Sequence, residues 1–134
     1  MRTHLEFLSN AFPRYLDEDE EVNPGVYGKR LAEFLAAQLP RHGFSVSEKF
    51  AEDWGWCIML QNDAFPLWIG CANYGKGGFL CFIEPSKPYV RRWLKRIPTT
   101  ETVKRLADAL EETLRESGKA HDLRWWSAAE SDRV

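Results

Sequence analysis

The sequence predicts an α+β fold, a two-layer sandwich in which two main helices cover one face of a mostly antiparallel sheet. Two segments place apolar residues at helical spacing, and the stretch between them alternates apolar and polar residues between turn motifs. With 134 residues, 44% of them apolar, the chain suits one domain with its own core and not a disordered polymer. We expect a single α+β domain over residues 1–134, with the element order β-α-β-β-β-β-α-β and a flexible tail from about residue 128.

The N-terminal segment is predicted to hold a short strand followed by an acidic loop. Leu5 and Phe7 alternate with polar neighbours, which favours a strand over residues 4–9, and one helical turn is the alternative. The five consecutive acids of residues 17–21 are typical of a solvated loop. Docking of this loop on a basic partner is the alternative.

A long helix follows, and its ends are marked by capping residues. Asn23 can cap it, and Pro24 suits the first helical position. Pro40 and Gly43 end it. Its apolar face carries Tyr27, Leu31, Phe34, Leu35 and Leu39.

The middle of the chain is predicted to form an antiparallel meander. Turn motifs at Asn62-Asp63 and at Gly75–Gly78 separate segments that alternate apolar and polar residues. The predicted strands cover residues 44–50, 54–61, 67–74 and 79–84.

The C-terminal third is predicted to hold the second main helix and a last strand. Residues 86–98 are ambiguous and fit a short helix. The long helix covers residues 101–116, with Thr99 or Thr100 as its cap. Residues 123–127 are predicted to return as an edge strand.

Pairing the meander with Gln61 opposite Leu67 and Tyr74 opposite Phe79 gives a sheet with two apolar faces. The smooth aliphatic face then suits the helices and holds Cys57, Met59, Leu67, Ile69, Cys71, Leu80 and Phe82. The other face is aromatic, with large rings around Gly70 and Ala72. Large rings beside small residues predict a concavity, which is a ligand-site hypothesis. The alternative is that Leu5, Phe7, Trp93 and the aromatic residues of the tail fill it.

The aromatic face and the edge leading into it form the predicted binding site of a small, non-catalytic binding or protein-interaction domain. Two acids precede two tryptophans spaced two apart, so the indoles would stack a flat or cationic group and an acid would bind its charge. The partner would be a protein, a small molecule or a second copy of the chain. The predicted contact residues are Glu52, Asp53, Trp54, Trp56, Trp68 and Tyr74.

A small enzyme is the first alternative, with Glu52 or Asp53 as an acid or base in the aromatic pocket. A second, converging catalytic group is not evident in the sequence. The histidines His4, His42 and His121 are scattered, so we expect no metal and no cofactor.

A nucleic-acid-interacting protein is the second alternative, through the basic segment of residues 87–96. Its candidate phosphate-binding residues are Arg91, Arg92, Lys95 and Arg96. The net charge of −2 argues against a general nucleic-acid binder, and solvated charges are the preferred interpretation.

The sequence also indicates a compartment. The N-terminus lacks the apolar run of a signal peptide, and no stretch approaches 18 consecutive apolar residues, so we expect no membrane partner. Three cysteines without CxxC spacing are typical of reduced thiols in a cytoplasmic protein.

Overall fold

The computed structural model describes residues 1–16, 18 and 27–131. Strands β1 to β5 of the sheet are His4–Leu8, Val46–Glu52, Gly55–Leu60, Leu67–Tyr74 and Gly78–Glu84. Strands β6, β7 and β8 are Tyr89–Arg92, Lys95–Pro98 and His121–Trp126. The helices α1, α2 and α3 are Lys29–Gln38, Thr100–Ser117 and Ala128–Ser131, and a 3₁₀ turn spans Leu39–His42.

Six strands form one antiparallel sheet in the order β2-β3-β4-β5-β1-β8, and β6 and β7 form a separate hairpin. Helices α1 and α2 pack their apolar faces on one side of the large sheet. Both supply leucines to the same buried cluster as the sheet, including Leu31 and Leu35 from α1 and Leu106 and Leu110 from α2. The predicted α+β sandwich with two helices on one face is therefore confirmed.

A buried carboxylate holds the start of α1. Glu18 is fully buried and accepts hydrogen bonds from the backbone N–H of Gly28 at 2.7 Å and of Lys29 at 3.1 Å. Its other oxygen accepts one from the N–H of Tyr15 at 3.2 Å. A carboxylate at this place satisfies free helix N–H groups and complements the helix dipole. The prediction of a solvated loop is wrong for Glu18, and the other four acids lie outside the described residues.

The structure confirms some of the predicted helix-end residues and not others. Asn23 and Pro24 lie outside the described residues, and the helix begins at Lys29, later than predicted. At its other end the 3₁₀ turn contains Pro40, and Gly43 adopts a left-handed φ of 87°, as expected for a stop signal. Thr99 occupies the N-cap position of α2, but its hydroxyl donates to the carbonyl of Lys87 and not to the helix.

Both predicted hairpin registers are wrong by one residue. Leu60 pairs with Leu67, and Tyr74 pairs with Gly78, which leaves residues 75–77 as the loop. Gly75 and Gly77 both have positive φ, which suits a short loop of this kind. Because side chains alternate, these slips place the side chains of β3 and β5 on the faces opposite to those predicted, whereas those of β4 lie as predicted.

The observed register gathers the aliphatic residues of the sheet under the helices. Ile58 pairs with Ile69, and Ile69 pairs with Ile83, and all three are fully buried. The helix-covered face holds Leu5, Phe7, Trp56, Ile58, Leu60, Leu67, Ile69, Cys71, Phe79, Cys81 and Ile83. The predicted division, with Met59, Leu80 and Phe82 under the helices, is corrected accordingly.

The segment that fitted a short helix forms the β6–β7 hairpin instead. Val90 pairs with Ile97, and both pack against the core. In the C-terminal segment, where a flexible tail is predicted, Ala128–Ser131 form one helical turn. Residues 132–134 lie outside the described residues.

A hydrogen bond between side chains joins α2 to β8. The indole N–H of Trp125 donates to Glu111 at 2.7 Å, and Arg115 contacts the same carboxylate at 3.2 Å. The Trp125 hydrogen bond is the main reason that the pKa of Glu111 is lowered. The sheet edge at β8 is therefore held partly by a charged group.

Replacing Glu111 by Gln keeps an oxygen that can accept from Trp125 but removes the negative charge. It should lower the free energy of unfolding by about 1 kcal/mol at neutral pH, the extra strength of a hydrogen bond to a charged acceptor. The folded protein lowers the pKa of Glu111 below its ordinary 4.5, so the carboxylate stabilises the fold above that pH. This contribution disappears as the pH falls through the lower folded pKa. Urea denaturation of both proteins at about pH 7 and about pH 3 measures it. An equal difference at the two pH values contradicts the assignment.

Candidate functional site

The face of the large sheet that points away from α1 and α2 is also rich in apolar residues. We call it the open face. Strand register assigns to it His4, Glu6, Leu8, Glu48, Phe50, Glu52, Cys57, Met59, Trp68, Gly70, Ala72, Tyr74, Leu80, Phe82, Glu84, Arg124 and Trp126. Antiparallel sheets with one face on the core usually carry polar residues on the other. The open face departs from that pattern.

Four aromatic rings contact one another on the open face, and we call them the ring cluster. The rings of Trp54 and Trp68 have centroids 6.0 Å apart and are nearly parallel. Phe82 contacts both, with centroids 5.0 Å from Trp54 and 5.6 Å from Trp68. His4 stacks on the far side of Phe82 at 5.8 Å. All four side chains are half-buried, so each keeps part of its ring available for contact.

A glycine makes room for the ring cluster. Gly70 lies directly opposite Phe82, and a Cβ at position 70 would lie 2.3 Å from Cζ of that ring. The Phe82 ring therefore lies over Gly70 and fills the space where a concavity is predicted. That prediction is wrong, and the filled surface suits an extended partner better than a small molecule.

The β2–β3 turn brings Trp54 to the open face. Glu52 pairs with Gly55, so Asp53 and Trp54 are the two turn residues. Gly55 has a φ of 151°, and a Cβ there would lie 2.3 Å from the carbonyl oxygen of Cys71. Alternation along a strand does not govern a turn residue, so the prediction that Trp54 and Trp56 share one side is wrong.

Trp56 belongs to the core. It is 5% exposed and lies on the helix-covered face, directly opposite Cys71. The Lys29 ammonium lies 5.2 Å from the centroid of its ring. The structure thus separates Trp56 from the other predicted contact residues.

Tyr74 lies at the far end of the open face. It is six residues from Trp68 on β4, about 20 Å along an extended strand. Its hydroxyl donates to Glu6 at 3.2 Å, and partial burial together with Glu6 raises its pKa. Tyr74 and Trp68 therefore share a surface but not a single pocket.

Carboxylates surround the ring cluster. Glu84 lies directly opposite Trp68, and Glu52 and Asp53 lie in or beside the turn that carries Trp54. Glu52 and Asp53 are exposed, so nothing in this arrangement supports either as an acid or base in a closed pocket. What the arrangement offers is aromatic faces with negative charge at their rim.

Cys57 and Cys71 are buried thiols with raised pKa. Cys57 lies on the open face but is 3% exposed, and burial, followed by Cys71, raises its pKa to about 12. Cys71 lies on the other face, paired with Cys81, so the prediction that Cys57 and Cys71 share a face is wrong. A hydrogen bond to Cys81 and burial raise the pKa of Cys71 well above its ordinary value. Thiols with raised pKa stay protonated at neutral pH and are poor nucleophiles.

The predicted phosphate-binding residues lie away from the ring cluster. Arg91, Arg92, Lys95 and Arg96 are exposed on the separate β6–β7 hairpin. Arg92 donates to the backbone carbonyl of Asp63 at 3.2 Å, next to the β3–β4 turn. They form a second surface rather than a part of the open face.

Two members of the ring cluster, His4 and Phe82, are absent from the predicted site. Phe82 belongs to the cluster because of the β4–β5 register. The glycines at positions 75 and 77 were the available sequence signal for that register, because both adopt a positive φ in the short loop. His4 joins it because β1 pairs with β5, a long-range contact that local patterns do not indicate.

No protein family model matches the chain, and no curated protein or solved structure is significantly similar to it. Among the described helices, none is long and apolar enough to cross a membrane.

Replacing Gly70 by Ala should lower the free energy of unfolding by about 1–3 kcal/mol, as overpacking does elsewhere. The added methyl group must displace the Phe82 ring, which is held between His4 and the two indoles. Urea denaturation measures the loss.

The matched comparison uses Phe82→Leu alone and combined with Gly70→Ala. Leucine removes the ring atoms that the new methyl group meets, so the double variant should lose less than the sum of the single losses. Additive losses would show that the ring does not rest on Gly70.

Proposed function

We propose that this chain is a non-catalytic protein-interaction domain whose partner docks on the open face and places a cationic side chain against the ring cluster. The observation that carries the proposal is the half-buried group of contacting rings, Trp54, Trp68 and Phe82. The carboxylates of Glu84 and Asp53 adjoin it, opposite Trp68 and next to Trp54 in the chain. Aromatic faces attract cations, and a neighbouring carboxylate adds to that attraction.

The extent of the open face supports a protein partner. Six strands with the usual spacing and about six residues each give a surface of about 600 Å² in plan. A standard protein interface buries roughly 800 Å² on each partner. The two areas are of the same order, and the filled space over Gly70 favours a broad contact over a small enclosed ligand.

The composition of the open face supports the same class of partner. Trp and Tyr are enriched where protein interfaces have their strongest contacts. Strand register places four acids on this face, Glu6, Glu48, Glu52 and Glu84. It also places Arg124 there, 3.9 Å from Glu6. A partner with basic residues among apolar ones would complement this charge, whereas two copies face to face would oppose like charges.

The proposal is tested by selecting peptides from a random displayed library on the immobilised full chain. We expect selected sequences rich in Arg or Lys beside large apolar residues. Trp68→Ala should weaken their binding about tenfold and Glu84→Gln about threefold, since each removes part of a cation site. Glu101→Gln makes the same charge change on the exposed side of α2 and should leave binding unchanged.

Unfolding curves show whether the Trp68→Ala protein is folded, and its half-buried position predicts that it is. Selection of acidic peptides, or equal binding by the Trp68→Ala protein, would contradict the proposal. A stable dimer in sedimentation equilibrium that Trp68→Ala dissociates would assign the open face to a second copy instead.

A further inference from the structure

The β6–β7 hairpin, residues 89–98, presents two large apolar side chains to solvent. Trp93 and Leu94 are each 95% exposed at its tip. The other tryptophans of the chain are buried or half-buried. An exposed tryptophan adjoining an exposed leucine is a surface feature that usually marks a contact site.

The tip is also conformationally costly. Arg92 pairs with Lys95, so Trp93 and Leu94 are the two residues of the turn. Trp93 has a φ of 62°, in the left-handed region that large side chains rarely adopt and where Gly or Asn is favoured. Burial within the chain does not offset this strain, because the side chain is exposed. Backbone strain that the fold does not offset is typical of functional sites.

The stem of the hairpin places like charges opposite each other. Arg91 pairs with Arg96 and Arg92 with Lys95, and all four are exposed. Like charges directly opposite on neighbouring strands are destabilising. Arg96 stacks on Tyr89 at 4.3 Å, and Arg92 donates to the carbonyl of Asp63, but neither contact supplies a negative charge. An anionic partner would relieve the repulsion.

We infer that this hairpin docks on an anionic lipid surface, with Trp93 and Leu94 inserted and the basic stem among the phosphate headgroups. The apolar tip precedes the two charged pairs, which follow about 3 and 7 Å behind it along the strands. That order matches a bilayer surface, where apolar groups enter about 5–10 Å and tryptophan prefers the interface. Each basic residue near such a surface strengthens binding about fivefold.

A nucleic acid is the competing occupant, and the tip distinguishes the two. A base would stack on Trp93 and leave Leu94 in water, whereas a lipid surface takes up both. The absence of a long apolar run, on which the expectation of no membrane partner rests, excludes a spanning segment only. Contact with a lipid surface through the hairpin tip needs no long apolar run, and it does not involve the open face.

The test is co-sedimentation of the full chain with vesicles of phosphatidylcholine, with and without phosphatidylserine. We expect binding only when phosphatidylserine is present, and weaker binding at high ionic strength. Trp93→Gly should reduce it about tenfold or more. Glycine tolerates the left-handed turn, so the same variant should be at least as stable to urea as the wild type. Loss of vesicle binding by a Trp93→Gly protein that is as stable as the wild type would therefore be due to the missing indole and not to misfolding.

Charge variants supply the matched control. Arg91→Glu should weaken vesicle binding strongly, and Lys76→Glu, the same charge change in the β4–β5 loop, should alter it little. Binding that does not depend on phosphatidylserine, or that Trp93→Gly leaves intact, would overturn the inference. Binding of a single-stranded oligonucleotide that Trp93→Gly abolishes, without vesicle binding, would assign the hairpin to nucleic acid. Trp68→Ala should not change vesicle binding, so this inference and the proposed function can fail separately.

Discussion

The register of the β3–β4–β5 meander is the constraint on which the rest of the structure depends. Pairing Leu60 with Leu67 and Tyr74 with Gly78 places the aliphatic side chains of all three strands under the helices. The same pairing sends Trp68 and Phe82 to the opposite side. A sheet whose strands are apolar on both sides would otherwise have no defined inside, and the two loops decide which side becomes the core.

The ring cluster depends on this register and on the glycine at position 70, which has no side chain. Phe82 and Gly70 lie directly opposite each other, so the end of the ring occupies the space over Gly70 where a side chain would otherwise lie. Trp54 then reaches the stack from a turn, and His4 from the strand on the other side. The rings shield one another and are only half-buried, which gives the open face an apolar and cation-attracting centre beside a rim of carboxylates.

Local patterns predict much of this fold and little of its site. Helical periodicity located both long helices, and alternation located the strands of the meander, because these signals depend on neighbouring residues. The helix-capping Glu18 and the stacking of His4 depend on contacts distant in the chain. The faces of β4 were predicted correctly, but those of β3 and β5 were reversed because each hairpin loop differs by one residue from the predicted one. Trp56 and Phe82 exchanged their predicted faces as a result.

The solvent exposure of each tryptophan side chain distinguishes the open face of the sheet from the helix-covered face. Proton NMR of the isolated chain with a soluble gadolinium complex measures how strongly each tryptophan indole N–H signal is broadened by contact with solvent. We expect strong broadening for Trp54 and Trp68 and weak broadening for Trp56, which the helices cover. Protection of Trp68 equal to that of Trp56 would show that the open face is already covered, and would contradict the account.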